Sequence, residues 1–154
     1  MIKRILDNMP SGKALFKRSV ENTFNHVKEE HAMTTATGIT RKSLDQPDEV
    51  RKFAGHGYAN VAAIAGGPVL RAHFQPGWRW SEDVKPIAGT DSCQAAHVGY
   101  FVSGRMRIRM DDGTEVEFGP GDLMDCPPGH DAWIVGDDEC VVIDWGPSAA
   151  KYAK

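Results

Sequence analysis

The sequence lacks the features that would place it among membrane proteins, nucleic-acid-binding proteins or two common classes of enzyme. No run of about 18 apolar residues occurs, so neither a transmembrane helix nor a secretory segment is expected. The formal net charge is −3 and no basic cluster is present, which argues against nucleic-acid binding. Glycine-rich nucleotide-binding motifs and the Gly-x-Ser-x-Gly motif of serine hydrolases are also absent.

Cysteine is scarce as well. The three residues, Cys93, Cys126 and Cys140, are an odd number, which argues against a disulfide framework and favours a reducing, cytoplasmic setting. Each thiol is therefore a metal ligand, a nucleophile or a small buried apolar group.

The 154 residues suffice for one globular domain, and their composition divides the chain into four segments. Residues 1–32 are predicted to form a helical extension, because Phe16, Val20, Phe24 and Val27 form one apolar stripe. This helix either precedes the core domain as an extension or packs on its sheet. The remaining segments are a polar connection (33–57), a β domain (58–147) and a short tail (148–154).

From residue 58 apolar and polar residues alternate, which predicts β-strands. In residues 105–110 the apolar side chains occupy one face and three arginines occupy the other. A turn signal at residues 111–113 leads into a return strand, where Val116 and Phe118 are expected to point inward. Two glutamates of that strand then lie opposite the arginines. Further short strands, separated by frequent turn signals, predict an all-β sandwich or barrel.

Two glycine-centred motifs make residues 68–146 resemble the cupin superfamily. The second cupin motif, Gly, five residues and then Pro-x-Gly, runs from Gly121 to Gly129. The glycine that ends the first motif is Gly104, and His97 occupies the position where glutamate is usual. The resemblance implies a double-stranded β-helix, or jelly-roll barrel, with the functional site in its mouth. The segments PGWRW and PPGHDAW also resemble a group of small bacterial cupins, for which no reaction is implied.

The usual cupin metal ligands are only partly present. The segment 91–94 replaces the His-x-His pair, and Ala132 replaces the histidine that follows the second motif. His130 stands two residues before that position, and the resemblance places it across the barrel mouth from His97.

These departures still leave a candidate metal site. Neutral imidazoles suit several divalent metals, so His97 and His130 are predicted to bind Zn, Fe, Ni or Mn. Cys93 or Asp91 is the expected third ligand, and a thiolate would favour zinc. Alternatively, both histidines only form hydrogen bonds to polar groups in the pocket.

Three tryptophans lie near these candidates. Trp78, Trp80 and Trp133 are expected either to line a ligand pocket, with Arg79 available for a carboxylate, or to plug one end of the barrel. The remaining pocket candidates are Cys126 and His73. Asp131 is positioned beside His130 to orient its imidazole.

Two functions from different classes follow from these features. The first is a metal-dependent oxygenase, isomerase or lyase that acts on a small organic molecule. The second is a non-catalytic small-molecule-binding or sensor module, since related domains are joined to nucleotide cyclases. A homodimer is also expected, because residues 68–74 are predicted to form an edge strand that needs covering.

Overall fold

A computed structural model describes residues 38–153 of the chain. The predicted helix within residues 1–32 lies outside the described residues. In residues 38–153 there is no helix of sufficient length and apolarity to span a bilayer.

The described residues are mostly β, in two antiparallel sheets, and the predicted all-β class is confirmed. The strands of the larger sheet lie in the order β1-β2-β3-β9-β4-β7, and those of the smaller sheet in the order β6-β5-β8. The strands are β1 (Glu49–Lys52), β2 (Gly57–Ile64), β3 (Gly67–Phe74), β4 (His97–Ser103), β5 (Met106–Met110), β6 (Glu115–Phe118), β7 (Leu123–Cys126), β8 (His130–Ile134) and β9 (Cys140–Asp144).

One strand and two short helices were not expected from the sequence. Strand β1 lies within the segment predicted to be a polar connection, and it pairs with β2. Two single-turn helices, α1 (Trp80–Asp83) and α2 (Lys85–Ala88), join β3 to β4. They are too short to show a helical periodicity in the sequence.

The predicted hairpin of β5 and β6 is present, and its arginines and glutamates face each other as expected. Arg107 lies opposite Glu117, and Arg109 lies opposite Glu115. The Arg107 and Glu117 side chains approach to 2.6 Å. Val116 lies opposite the buried Ile108 and so on the predicted inner face, but its side chain is exposed because β6 is the outer strand of the smaller sheet. An edge strand is covered by a neighbour on one side only.

Strand β3 is not an edge strand, which corrects the sequence-based expectation. It pairs with β2 on one side and with β9 on the other. Its predicted alternation is confirmed, since Leu70, Ala72 and Phe74 are buried. The expectation arose because β9 follows β3 by about 65 residues, and a pairing over such a distance leaves no local signal.

The buried side chains of both sheets form one hydrophobic cluster. Aromatic rings contribute much of it: Phe53 stacks on Phe74, with ring centroids 5.5 Å apart, and the Phe74 ring lies 4.4 Å from that of Trp78. Phe101 of the larger sheet stacks on Phe118 of the smaller one. Aromatic contacts of this kind stabilise the cluster beyond the burial of their area.

The structure explains why the first motif ends in a glycine. Gly104 has a φ of 68°, and an added Cβ would lie 2.5 Å from the Cα of Cys140. Only glycine adopts this conformation without strain and allows such close contact. The turn between β4 and β5 can therefore pack directly on the start of β9.

Candidate metal centre

Strand alternation and one backbone bridge place three donor side chains together. His97 opens β4 and His130 opens β8, and both face the interior. Cys93 lies in the loop before β4 and pairs with His130 through the backbone, its N–H donating to the His130 carbonyl oxygen at 2.7 Å. All three side chains are buried.

The spacing of these donors suits a metal ion. One ligand atom from each of Cys93, His97 and His130 lies within 4.8 Å of the others. The Cys93 Sγ and His97 Nε2 atoms are 3.6 Å apart. Tetrahedral zinc, with bonds of about 2.0–2.3 Å, separates its ligand atoms by about 3.4–3.8 Å. Among residues 38–153, Cys93, His97 and His130 form the one group of at least three histidine, cysteine or acidic side chains whose ligand atoms lie close enough together to hold a metal ion.

In both His97 and His130 the Nδ1 atom forms a hydrogen bond, which leaves the Nε2 atom available to a metal. The Nδ1 of His97 donates to the carboxylate of Asp144, and the Nδ1 of His130 donates to the carbonyl oxygen of Pro127 at 2.9 Å. A histidine ligand normally donates its other ring N–H to an acceptor, which fixes the ring orientation and the tautomer. Both Nε2 atoms are thereby held as ligand atoms.

The carboxylate of Asp144 is itself fixed. It accepts a hydrogen bond from the Gly146 N–H at 2.7 Å with its second oxygen. Gly146 permits this turn because a Cβ there would lie 2.6 Å from the backbone nitrogen of Val98. The chain after β9 therefore packs against the start of β4, beside His97.

Without a metal, the Cys93 thiol loses its proton and both imidazoles keep theirs, so that the three side chains form ion pairs. Burial raises the pKa of the Cys93 thiol, but hydrogen bonds to His130 and His97 and their charges lower that pKa to about 6. Burial lowers the pKa of both imidazoles, but their partners outweigh it. Asp144 and Cys93 raise the pKa of His97 to about 9, and Cys126 and Cys93 raise that of His130 to about 10. A thiolate is thus present at neutral pH, as metal binding requires.

The donor group lies between two cavities. The inner cavity, about 40 Å³, is lined by His97, His130, both buried tryptophans and apolar side chains of the two sheets. The outer cavity, about 400 Å³, is lined by Cys93, Gln94, Thr90 and Lys151 among others. Trp80 and Tyr152 line both and form the wall between them.

The chain after β9 contributes to this wall. The buried Arg51 of β1 donates hydrogen bonds to the carbonyl oxygens of Ala149 at 2.7 Å and Tyr152 at 2.9 Å. The Tyr152 ring, held in this way, packs edge-on against the His97 ring at 5.0 Å between centroids. Burial raises the pKa of Tyr152 well above its ordinary value, so its hydroxyl stays protonated.

The structure brings together three of the four predicted metal ligands. Asp91 does not join them, because its side chain is fully exposed and lies 3.4 Å from the Lys85 ammonium group. The geometry does not support Asp91 as a ligand. The loop that contains both Asp91 and Cys93 has no regular alternation, so the sequence could not distinguish them.

The predicted pocket residues are divided between the inside and the outside of the domain. Trp78 and Trp80 line the inner cavity, whereas Trp133 alternates outward on β8 and does not. Arg79 is paired with Asp131 at 3.1 Å and lies over the Trp133 ring. Because Asp131 binds Arg79 and Ser81, it does not orient His130.

Two further predicted pocket residues also lie elsewhere. His73 is on the outer face of β3, where it stacks on Tyr58 and pairs with Glu139 at 3.3 Å. The Cys126 thiol lies 3.3 Å from the Nδ1 of His130, on the side of the ring away from the donor group. Strand alternation explains the position of His73, because adjacent residues of a strand point to opposite faces. Cys126 is buried on the inner face of β7, but its thiol lies beside the Nδ1 of His130 and not beside the Nε2.

Sequence reasoning missed Asp144 and Tyr152. Asp144 had a detectable signal, since β9 alternates Cys140, Val142 and Asp144 on its inner face and so places a carboxylate in the core. An inward acidic residue in a core strand is rare unless it is paired. Tyr152 had none, because its position depends on hydrogen bonds from Arg51, about 100 residues earlier.

Comparisons with known proteins agree with this architecture. The family of EutQ-like cupin domains matches residues 76–143. A structure described as a sugar phosphate isomerase of a cupin superfamily, from Silicibacter pomeroyi, superposes with a TM-score of 0.50 at 17% identity, covering 68% of this chain and 73% of that one. KdgF from Halomonas has a TM-score of 0.50 and 18% identity, over 72% of this chain and 94% of that one.

A third structure, of unknown function from Rhizobium leguminosarum, also has a TM-score of 0.50, at 14% identity over 71% of this chain and 99% of that one. No curated protein matches the chain. Fold and site together define an antiparallel β protein with a buried Cys/His/His group that can hold a metal. Residues 76–143 match a cupin family, and the fold of the described residues agrees with that match.

Proposed function

We propose that this cupin binds a zinc-type divalent ion through Cys93, His97 and His130 and uses it on a small polar organic molecule. The observation that carries the proposal is the convergence of one thiolate and two oriented imidazoles at metal-ligand spacing. Three protein ligands leave one position of a tetrahedral ion open, which is the arrangement of catalytic zinc sites.

Among the metals predicted from the sequence, the donor set favours zinc, which has no redox chemistry. A thiolate with two imidazoles suits zinc better than manganese, which prefers oxygen ligands. When bound there, such an ion would polarise a carbonyl or hydroxyl group of the substrate as a Lewis acid. This favours isomerase or lyase chemistry over oxygenase chemistry among the reactions considered above.

The two cavities suggest how the substrate is held. The outer cavity of about 400 Å³ has the size of a small-molecule site, and Cys93 is part of its wall. Lys151, Gln94 and Thr90 provide polar contacts there. In the metal-free protein, the Cys93 thiolate is buried beside two imidazolium groups. When a cation binds, it takes the place of the two imidazolium protons that face the thiolate.

The test is elemental analysis of the protein purified without an affinity tag or chelator. We expect a near-stoichiometric divalent metal that is lost in His97→Ala and in His130→Ala. His73→Ala is the matched control, because this histidine lies on the outer face of the sheet and should not change the metal content. Absence of metal, or equal metal in all four proteins, would overturn the proposal.

The second candidate is a ligand-binding module without turnover, and the small inner cavity favours it. A volume of about 40 Å³ does not admit a whole organic substrate beside the two histidines. Under this alternative, the outer cavity binds a molecule that is released unchanged. Chemical conversion of a bound small molecule by the metal-loaded protein, lost in Cys93→Ser, would decide for the enzyme.

We also propose that the chain forms a homodimer through the outer face of the larger sheet. Tyr100 and Val102 of β4 and Leu123 of the edge strand β7 are exposed apolar side chains, and Tyr100 lies directly opposite Leu123. Such a cluster is unfavourable in water and typical of an interface. Sedimentation should show a dimer that Leu123→Asp dissociates, and a monomeric parent protein would rule this out.

A further inference from the structure

The two cavities divide the donor group between them. His97 and His130 line the inner cavity, whereas Cys93 lines the outer one, and all three side chains are buried. An ion that arrives from solvent reaches the sulfur and both imidazoles together only after part of the surrounding structure moves. Trp80 and Tyr152 line both cavities, so a path between the cavities passes one of these two side chains.

The segments that contain Trp80 and Cys93 are both bonded to strand β8. The N–H of Ile134 donates to the carbonyl oxygen of Trp78, two residues before Trp80, at 3.1 Å. The N–H of Cys93 donates to the carbonyl oxygen of His130 at 2.7 Å, and the reverse bond has a length of 3.4 Å. Displacing either segment would therefore break main-chain hydrogen bonds to a strand of the core.

The segment that contains Tyr152 is attached differently. Residues 147–153 form turns directly after Gly146, and their main-chain hydrogen bonds are made within the segment and to Gly146. In the described part of the chain, no main-chain to main-chain bond joins them to a strand. Side chains attach the segment instead, one of them Ser148, whose hydroxyl accepts the N–H of Ala96 at 2.9 Å. The segment can therefore move without breaking a sheet.

The most extensive of these attachments is a single buried arginine. Arg51 of β1 donates hydrogen bonds to the carbonyl oxygens of Ala149 at 2.7 Å, Ala150 at 3.2 Å and Tyr152 at 2.9 Å. The carboxylate of Glu49 lies 3.0 Å from the same guanidinium group. Hydrogen bonds from a charged donor are among the stronger ones in proteins, and the planar guanidinium group can bind several acceptors at once. One side chain thus holds most of the segment in place.

The Tyr152 ring is the part of this segment that covers the donor group. It packs edge-on against the His97 ring at 5.0 Å and against the Phe53 ring at 6.2 Å between centroids. Because Tyr152 lines both cavities, its withdrawal would open a path from the outer cavity to His97. Loss of the Arg51 hydrogen bonds is what such a withdrawal requires.

We infer that residues 147–153 form a strap, held closed by Arg51, whose opening admits a metal ion from the outer cavity to the donor group. The entry role rests on the proposed metal centre, whereas the opening itself does not. The strap supplies none of the three ligands, so loosening it should change how fast an ion enters and leaves while the ligand set stays the same.

The experiment measures strap opening through the reaction of Cys93 with 5,5′-dithiobis(2-nitrobenzoate). Full-length, metal-free protein with Cys126→Ser and Cys140→Ser keeps Cys93 as its one thiol. In this background Arg51→Met keeps an unbranched side chain but removes the donors, and we expect Cys93 to react at least about tenfold faster because charged hydrogen bonds are lost. Lys52→Met is the matched control, since Lys52 is the exposed neighbour on the same strand and should leave the rate unchanged.

The urea dependence of the reaction separates strap opening from global unfolding. A second protein, with Cys93→Ser and Cys126→Ser, keeps only Cys140, which is fully buried in β9. Below the unfolding transition, the rate for Cys140 should rise steeply with urea, because its exposure requires unfolding of the sheet. The rate for Cys93 should be higher and depend only weakly on urea, because opening the strap exposes little surface.

The outcomes separate the strap from the metal centre. If Cys93 shows the same steep urea dependence as Cys140, or if Arg51→Met leaves its rate unchanged, the strap is wrong whatever the protein does with zinc. Zinc added to the Cys93 protein should slow the reaction by occupying the thiolate. If zinc has no effect, the metal centre and the entry role fail, and the strap opening stands. Should Arg51→Met not fold, Arg51→Lys keeps the charge but not the planar group, and a smaller acceleration is expected.

Discussion

The interior of this domain and the outer surface of its β5–β6 hairpin both contain charged groups within hydrogen-bond distance, but the two sets have different consequences. On the hairpin, Arg105 and Arg107 pair with Glu117 in contact with solvent. Such pairs are screened and contribute little. In the interior, Cys93, His97 and Asp144 are removed from water, where a charge without a partner is costly. The surface pairs are complete, whereas the interior group is one that could hold a cation.

The largest expected effect is that of pH on the apparent affinity for zinc. Protons compete with a metal for the inward nitrogens of His97 and His130, whose pKa values are raised to about 9 and about 10 in the metal-free protein. Apparent zinc affinity should therefore rise with pH up to about 9–10, by about tenfold per unit for each histidine that is still protonated. Below about pH 6 the Cys93 thiolate also becomes protonated, and affinity should fall more steeply.

Competition with a chromophoric chelator between pH 6 and pH 9 measures this dependence. Calorimetry in buffers of different ionisation enthalpy should also detect protons released on binding at neutral pH. A zinc affinity that is independent of pH across that range would contradict the ionic description of the interior group.

The next effect is on stability. Zinc at a free concentration of 100 times its Kd should raise the free energy of unfolding by about 2.7 kcal/mol, because it binds the folded state preferentially. Cys93→Ser should abolish this increase by removing the thiolate ligand. Cys140→Ser is the control, since this buried thiol at the start of β9 is not part of the donor group. Urea unfolding with and without zinc measures both, and equal stabilisation of all three proteins would mean that zinc binds elsewhere.

A smaller effect is expected at the group that orients His97. Asp144→Asn removes the charge that faces the Nδ1 of His97 but keeps the side-chain shape, and metal affinity should fall by about 10–100-fold. The comparison variant is Asp131→Asn, which changes a carboxylate near His130 that binds Arg79 instead. Zinc titration of the two variants measures the difference, and similar affinities would show that Asp144 does not orient the ligand.

The smallest effect is expected on the outer surface. Arg107→Ala removes an exposed partner of Glu117, and its effect on stability should be close to zero and vanish in high salt. Zinc affinity should not change. Thermal unfolding at low and high ionic strength tests this, and a large salt-independent loss would mean that the surface pairs matter as much as the interior ones.

The sequence predicted those parts of the fold that depend on neighbouring residues. The β5–β6 hairpin followed from a turn signal between two alternating segments, and the expected pairing of arginines with glutamates includes Arg107 with Glu117. The burial of alternate residues in β3 was also predictable, but its position in the sheet was not, because its partner β9 is distant in sequence. Local pattern determines which face of a strand is buried, whereas long-range pairing determines its neighbours.

The same distinction applies to the site. His97, His130 and Cys93 were found because the cupin motifs mark where β4 and β8 enter the interior. His130 could replace the usual ligand position at Ala132 because two residues along a strand face the same side. Asp144 and Tyr152 reach the site through β9 and through Arg51, contacts that no motif encodes.

The position of β9 in the sheet has a consequence for the order of synthesis. Among the described strands it is synthesised last, yet it lies between β3 and β4, which are made much earlier. Until it arrives, the larger sheet has two open edges inside it, and Asp144 is not yet beside His97. We expect the two parts of the larger sheet to join only when β9 pairs with both, so that the proposed metal centre forms late in folding.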